Sequence, residues 1–124
     1  MEERKFDVED RLVDYVCTMI DVVEALSNTR SGNYIAGQLI RYCHLPAFNY
    51  GEVQAAESRN DFIHKMKIVL KELKECRVAL KIIIKKQLIK ATSNLDGIFK
   101  ETQELIAIIA KSIETANKNK YKRK

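Results

Sequence analysis

The 124-residue sequence predicts an all-α fold: an up-down-up-down four-helix bundle whose second helix is kinked at its one proline. Three observations predict it. One Pro and four Gly leave too few turns for a sandwich or a barrel. Apolar residues recur at alternating steps of three and four in three long segments, the seam of a helix packed in a bundle. The connectors between the segments are short, which makes consecutive helices antiparallel neighbours. With no Trp and 7% aromatic residues, the core is built mainly from Leu, Ile and Val.

The first seam is Leu12, Val16, Met19, Val23 and Leu26, flanked by Val13 and Ile20. Asp7 caps this helix, and Glu9 and Asp10 complement its positive end. Residues 27–32, SNTRSG, form a turn-rich connector. The second helix begins near Asn33 and buries Ile35, Leu39, Tyr42 and Val53. Pro46 lacks an N–H and its ring collides with the carbonyl of Tyr42, so this helix kinks or breaks there, and Gly51 weakens its second half.

Ser58, followed three residues later by Asp61, opens the third helix in the manner of a capping box. Its seam runs Phe62, Met66, Val69, Leu73, Cys76, Leu80 and Ile83, with Leu70 and Ile84 alongside. It ends between Lys86 and Ser93, and Ser93 or Asn94 caps the fourth helix. The fourth seam is Leu95, Ile98, Thr102, Leu105 and Ile109, widened by Phe99, Ile106 and Ile113. Stripes this wide touch more than one neighbour, as a four-helix bundle requires. The bundle is assigned to residues 1–117 and a basic, disordered tail to residues 118–124, which lack apolar partners.

Charge is unevenly placed within the net +5. Residues 1–32 hold eight acidic and four basic side chains, whereas residues 58–90 hold ten basic and three acidic ones. An acidic first helix and a basic third helix suit either mutual pairing or a basic face left for a polyanion. Cys17, Cys43 and Cys76 are odd in number and far apart, which excludes a disulfide framework and a zinc site and leaves reduced thiols packed as small apolar groups. His44 beside Cys43 has no carboxylate nearby to complete a metal set, and no cofactor is implied. The N-terminal residues are acidic without an apolar run, and no segment approaches the ~20 apolar residues that span a bilayer. A cytoplasmic location without membrane contact is expected.

The strongest binding candidate is a file of lysines on the third helix. Lys71, Lys74, Lys81 and Lys85 fall within about 40° of Lys67 on a helical wheel, and the apolar seam lies about 130° away. Ammonium groups one helical turn apart can track a phosphate backbone by releasing counterions. The competing reading is a solvated face on which Glu72 and Glu75 make local ion pairs, with no aromatic residue interleaved to stack on bases.

Three segments carry a family likeness: IAGQLIR (35–41), NYGEVQAAES (49–58) and DFIHKMKIVLKELKE (61–75). They resemble the four-helix-bundle proteins encoded in intervening sequences of bacterial 23S ribosomal RNA genes, and their relative, the accessory protein of diversity-generating retroelements. The likeness runs from about Arg11 to the last helix. It implies a homo-oligomer, a pentameric ring above all, acting as a non-enzymatic accessory protein associated with RNA or DNA. The chain departs from the pattern at Tyr42, Cys43, His44 and Leu45, where the family has small and hydroxyl residues. Tyr50 and Glu52 match the family at the junction of helices two and three, with a structural role expected. Two further classes stand beside this one: a structural module docking an acidic protein, and a ribonuclease similar to the HEPN family. The last rests on Arg59 and His64 in an R-x4-H pattern, in which Arg holds phosphate and His moves a proton.

Overall fold

The computed structural model describes residues 7–89 and 95–122. Within them lie α1 (Val8–Glu24), α2 (Arg30–Tyr42), α3 (Leu45–Val53), α4 (Arg59–Lys86) and α5 (Leu95–Lys122), with no strand. α2 and α3 are the two halves of the second helix, so the four-helix bundle stands with its second rod broken.

Asp7 caps α1, its carboxylate accepting from the N–H of Asp10. α2 begins earlier than Asn33, because the Thr29 hydroxyl accepts from the N–H of Gly32 at 3.0 Å and satisfies a free donor of the first turn. The connector before it is tightly closed. A Cβ on Gly32 would sit 2.1 Å from the Ser27 carbonyl oxygen, and the N–H of Ser27 donates to Leu88 at 2.8 Å. Only glycine fits at that contact.

The break falls at Cys43 and His44, ahead of the proline itself. Pro46 occupies the first turn of α3, where its missing N–H costs nothing. The His44 ring donates through Nδ1 to the Ile40 carbonyl at 2.7 Å and so occupies an acceptor at the end of α2.

The Ser58 hydroxyl accepts from the N–H of Asp61 at 3.0 Å, and the Asp61 carboxylate accepts in return from Glu57, one residue before the cap. That N–H and Lys65 hold the Asp61 carboxyl below its ordinary range. α4 ends on Gln87 in the left-handed region (φ 52°, ψ 51°), whose N–H reaches back to Ile83 and Ile84. The expected caps Ser93 and Asn94 lie outside the described residues. α5 runs to Lys122, past the boundary at Lys118 that the sequence suggests for a tail; a Glu114–Lys118 pair at 3.6 Å has the orientation that favours helix.

α4 packs against α2, α3 and α5, and α1 against the same three. Among the described residues the backbones of α1 and α4 do not approach each other, nor does α5 approach α2 or α3. The cyclic order is therefore α1, α2/α3, α4, α5, with α1 and α4 on a diagonal.

The α4 and α5 seams are buried as their spacing predicts, with Leu73, Leu80, Leu105 and Ile109 fully enclosed. α1 is rotated slightly from its expected seam. Tyr15 and Val22 join Leu12 and Met19 in the core, while Val23 and Leu26 are half-buried. Val13 and Ile84, read as flanking the core, are exposed.

Two contacts tie α1 to α5. Arg11 grips Glu101 through both nitrogens of its fork, Nε at 2.9 Å, and reaches Glu104 at 3.1 Å. Inside the core, Thr102 donates to the Ile98 carbonyl at 2.8 Å, which leaves its hydroxyl to accept from the Tyr15 hydroxyl at 2.7 Å. Burial pushes the Tyr15 phenol far above its ordinary pKa.

Candidate binding surface on helix α4

The lysine file is present. Lys67, Lys71, Lys74, Lys81 and Lys85 are all exposed on the outer side of α4. Of these, Lys71 faces a carboxylate, Glu75 at 3.8 Å, in a pair too exposed to hold either partner firmly. The other half of the expected ion-pair screen is missing. Glu72 is 6% exposed, turned inward against α3, where both of its oxygens accept from Asn49 Nδ2 at 2.9 and 2.8 Å. Burial raises the Glu72 pKa, and the Asn49 bonds oppose that shift. At the junction expected to rest on Tyr50 and Glu52, Tyr50 is half-buried against the core, Glu52 is exposed, and Asn49 beside them holds Glu72. One sequence signal marked Glu72: about 140° from Lys67, it sits on the apolar side of the wheel.

The face is not purely basic. Val78 and Ile82, 54% and 41% exposed, stand in the same arc as the lysines. Across from them α2 presents Tyr34, 66% exposed, and Tyr42. Between the two helices lies a groove of about 730 Å³, with Leu70 in its floor and Lys67, Lys71 and Lys74 along one side. Lys81 and Lys85 stand beyond this lining. Sequence reasoning missed the groove because its walls come from two helices far apart in the chain, although Val78 and Ile82 could be read from the wheel as apolar residues on the wrong side.

The other candidates separate. Arg59 and His64 are both exposed; Arg59 Nη1 donates to the Asn119 carbonyl at 3.4 Å, beside a shallow hollow of α5 residues to which His64 does not contribute. The two side chains leave the helix about 140° apart and form no common site. Cys43 and Cys76 are buried, their pKa values pushed up to about 11 and about 12 by desolvation, and both are unreactive there. Cys17 departs from the expected packing and is exposed on α1. Among the described residues no three His, Cys, Asp or Glu side chains gather as a metal would require, and no helix is long and apolar enough to cross a membrane.

The sequence matches no family model and no curated protein. Among solved structures, it is similar to a protein of unknown function from the S23 ribosomal protein family of Bacteroides thetaiotaomicron. That similarity has a TM-score of 0.76 at 24% identity and covers 86% of this chain and 95% of the other. Nearly the full length of that protein is superposable on the bundle described above, and what the two chains share is its fold.

Proposed function

We propose that this chain belongs with the S23-like intervening-sequence proteins and acts without catalysis, as a cytoplasmic homo-oligomeric accessory protein that binds RNA through its basic α4 face. A pentamer is the assembly the resemblance implies. One observation carries the binding reading: five exposed lysines stand in file along one face, one turn apart except for the two turns between Lys74 and Lys81, and just one of them faces a carboxylate. Such contacts position a protein on nucleic acid without reading its bases, so affinity will be strong at low salt and indifferent to sequence.

The test is binding of labelled RNA and DNA over a salt series by the wild type and by Lys81→Gln/Lys85→Gln, a pair outside the groove. The salt slope is expected to flatten by about 0.7–0.9 per lost contact, with sequence preference unchanged. Unaltered binding in that variant, or none by the wild type at low salt, would overturn the reading. RNA cleavage lost on Arg59→Ala or His64→Ala would restore the ribonuclease alternative.

A second reading, docking of an acidic protein, is favoured by Val78, Ile82 and Tyr34, because a phosphate backbone has no use for exposed apolar side chains amid its cations.

A further inference from the structure

We infer that the groove between α2 and α4 is filled by the outer face of α1 from a second copy of this chain, in a head-to-tail contact. The inference rests on the homo-oligomeric part of the proposed function and divides the lysine file: Lys67, Lys71 and Lys74 serve assembly, and Lys81 and Lys85 stay available to phosphate.

The groove's chemistry defines its occupant. Its walls are apolar, through Tyr34, Tyr42, Leu70, Val78 and Ile82, and one edge carries three cations against the single carboxylate Glu75. A complementary surface is a helix with carboxylates in file and a small apolar group among them. The outer face of α1 is such a surface. Asp10, Asp14, Asp21 and Glu24 are exposed there together with Val13, at 47%, and Cys17. The one basic residue of α1, Arg11, pairs with Glu101 and Glu104 on α5. A side-chain hydrogen bond with Asp7, together with repulsion from Asp7, Glu9 and Asp14, raises the Asp10 pKa.

Dimensions and symmetry agree. From Asp10 to Glu24 the α1 strip is about 21 Å long, and from Lys67 to Ile82 the groove is about 22 Å, at 1.5 Å per residue. The two surfaces differ, so they cannot meet their own kind across a two-fold axis. They occupy separate parts of the bundle surface, the groove on the α2–α4 side and the strip at the α1 corner diagonal to α4. Each copy therefore offers a groove to one neighbour and a ridge to another, the head-to-tail arrangement that closes into a ring when the rotation between neighbours allows it.

The test uses Cys17, already exposed at the middle of the α1 strip. Lys74 lies at the middle of the groove, so the two centres meet whichever way the ridge runs. Under mild oxidation Lys74→Cys is expected to form a ladder of disulfide-linked species that a control, Glu114→Cys on α5, does not form, and Cys17→Ser abolishes the ladder. In parallel, sedimentation should show Lys67→Glu/Lys71→Glu/Lys74→Glu and Asp10→Lys/Asp14→Lys/Asp21→Lys each reduced to monomers of unchanged helicity, with assembly recovered in the chain that carries both sets. A wild-type oligomer whose Lys74→Cys variant yields no ladder and whose assembly ignores the groove substitutions would overturn this face assignment while leaving the oligomer intact. A monomeric wild type would remove the oligomer itself, and loss of RNA binding from Lys67, Lys71 and Lys74 without loss of assembly would assign the groove to nucleic acid.

Discussion

Replacing Asn49 with Ala should destabilise the fold at neutral pH and do so far less in acid. Asn49 Nδ2 sits 2.9 and 2.8 Å from the two oxygens of a Glu72 carboxylate that is 6% exposed. Hydrogen bonds to charged groups contribute about 1.5–3 kcal/mol, and a buried charge left without its donor bears the desolvation cost as well. An Asn49→Ala loss of about 2–3 kcal/mol at pH 7 is expected on that basis. The sign with pH follows from the Glu72 carboxyl, raised by burial above the ordinary glutamate value of 4.5. The folded state keeps this proton longer than the unfolded one, so the group's contribution worsens as pH rises from below 4.5 through the folded pKa. Below both values Glu72 is neutral in both states and the penalty for losing its donor shrinks. Removing Asn49 raises the folded pKa further and widens that window. Urea denaturation of Asn49→Ala, Glu72→Gln and the double variant between pH 3.5 and 7.5 measures the coupling directly. Glu72→Gln should remove the pH-dependent part, because an amide pairs with Asn49 without a charge to desolvate. An Asn49→Ala penalty equal at pH 4 and pH 7, or one below about 0.5 kcal/mol, would refute the reasoning.

Leu73→Ala and Leu80→Ala, both at fully enclosed positions, should each cost about 2–5 kcal/mol in chemical denaturation, whereas Val78→Ala at 54% exposure should change monomer stability by less than about 0.5 kcal/mol. Gly32→Ala must displace the Ser27 carbonyl, 2.1 Å from the new Cβ, and should cost about 1–3 kcal/mol in a thermal or urea melt, the range of overpacked sites. Tyr15→Phe removes the hydroxyl that donates to Thr102 but leaves the Thr102–Ile98 bond in place, so a loss of about 0.5–1.5 kcal/mol is expected by the same assay.

The bundle was legible because steps of three and four leave one side of a helix apolar, and Leu73, Leu80, Leu105 and Ile109 occupy the core as that rhythm requires. The caps Asp7 and Ser58 were legible for a local reason, since the bonds they make reach only three residues along the chain. The displaced break in the second helix was less so: a proline fits the first turn of a new helix better than the end of an old one, and the boundary moved to Cys43 and His44. Glu72 was misassigned because residue type outweighed its position on the wheel. The partner that makes its burial tolerable, Asn49, stands on another helix. The groove had no local signature, since Tyr34 meets Val78 and Ile82 only after the bundle has formed.

The closed connector between α1 and α2 has a consequence for the self-assembly proposed above. α1 is joined to α2 through one short segment, and a helix so connected is an element that two copies could exchange. Exchange requires the connector to straighten into a bridge between molecules. Straightening would break the bond from Ser27 to Leu88, withdraw Gly32 from the Ser27 carbonyl and uncouple the cap on Thr29. These three contacts act as a latch that keeps α1 folded onto its own chain, so that copies assembling as proposed would meet through finished surfaces and part again without unfolding.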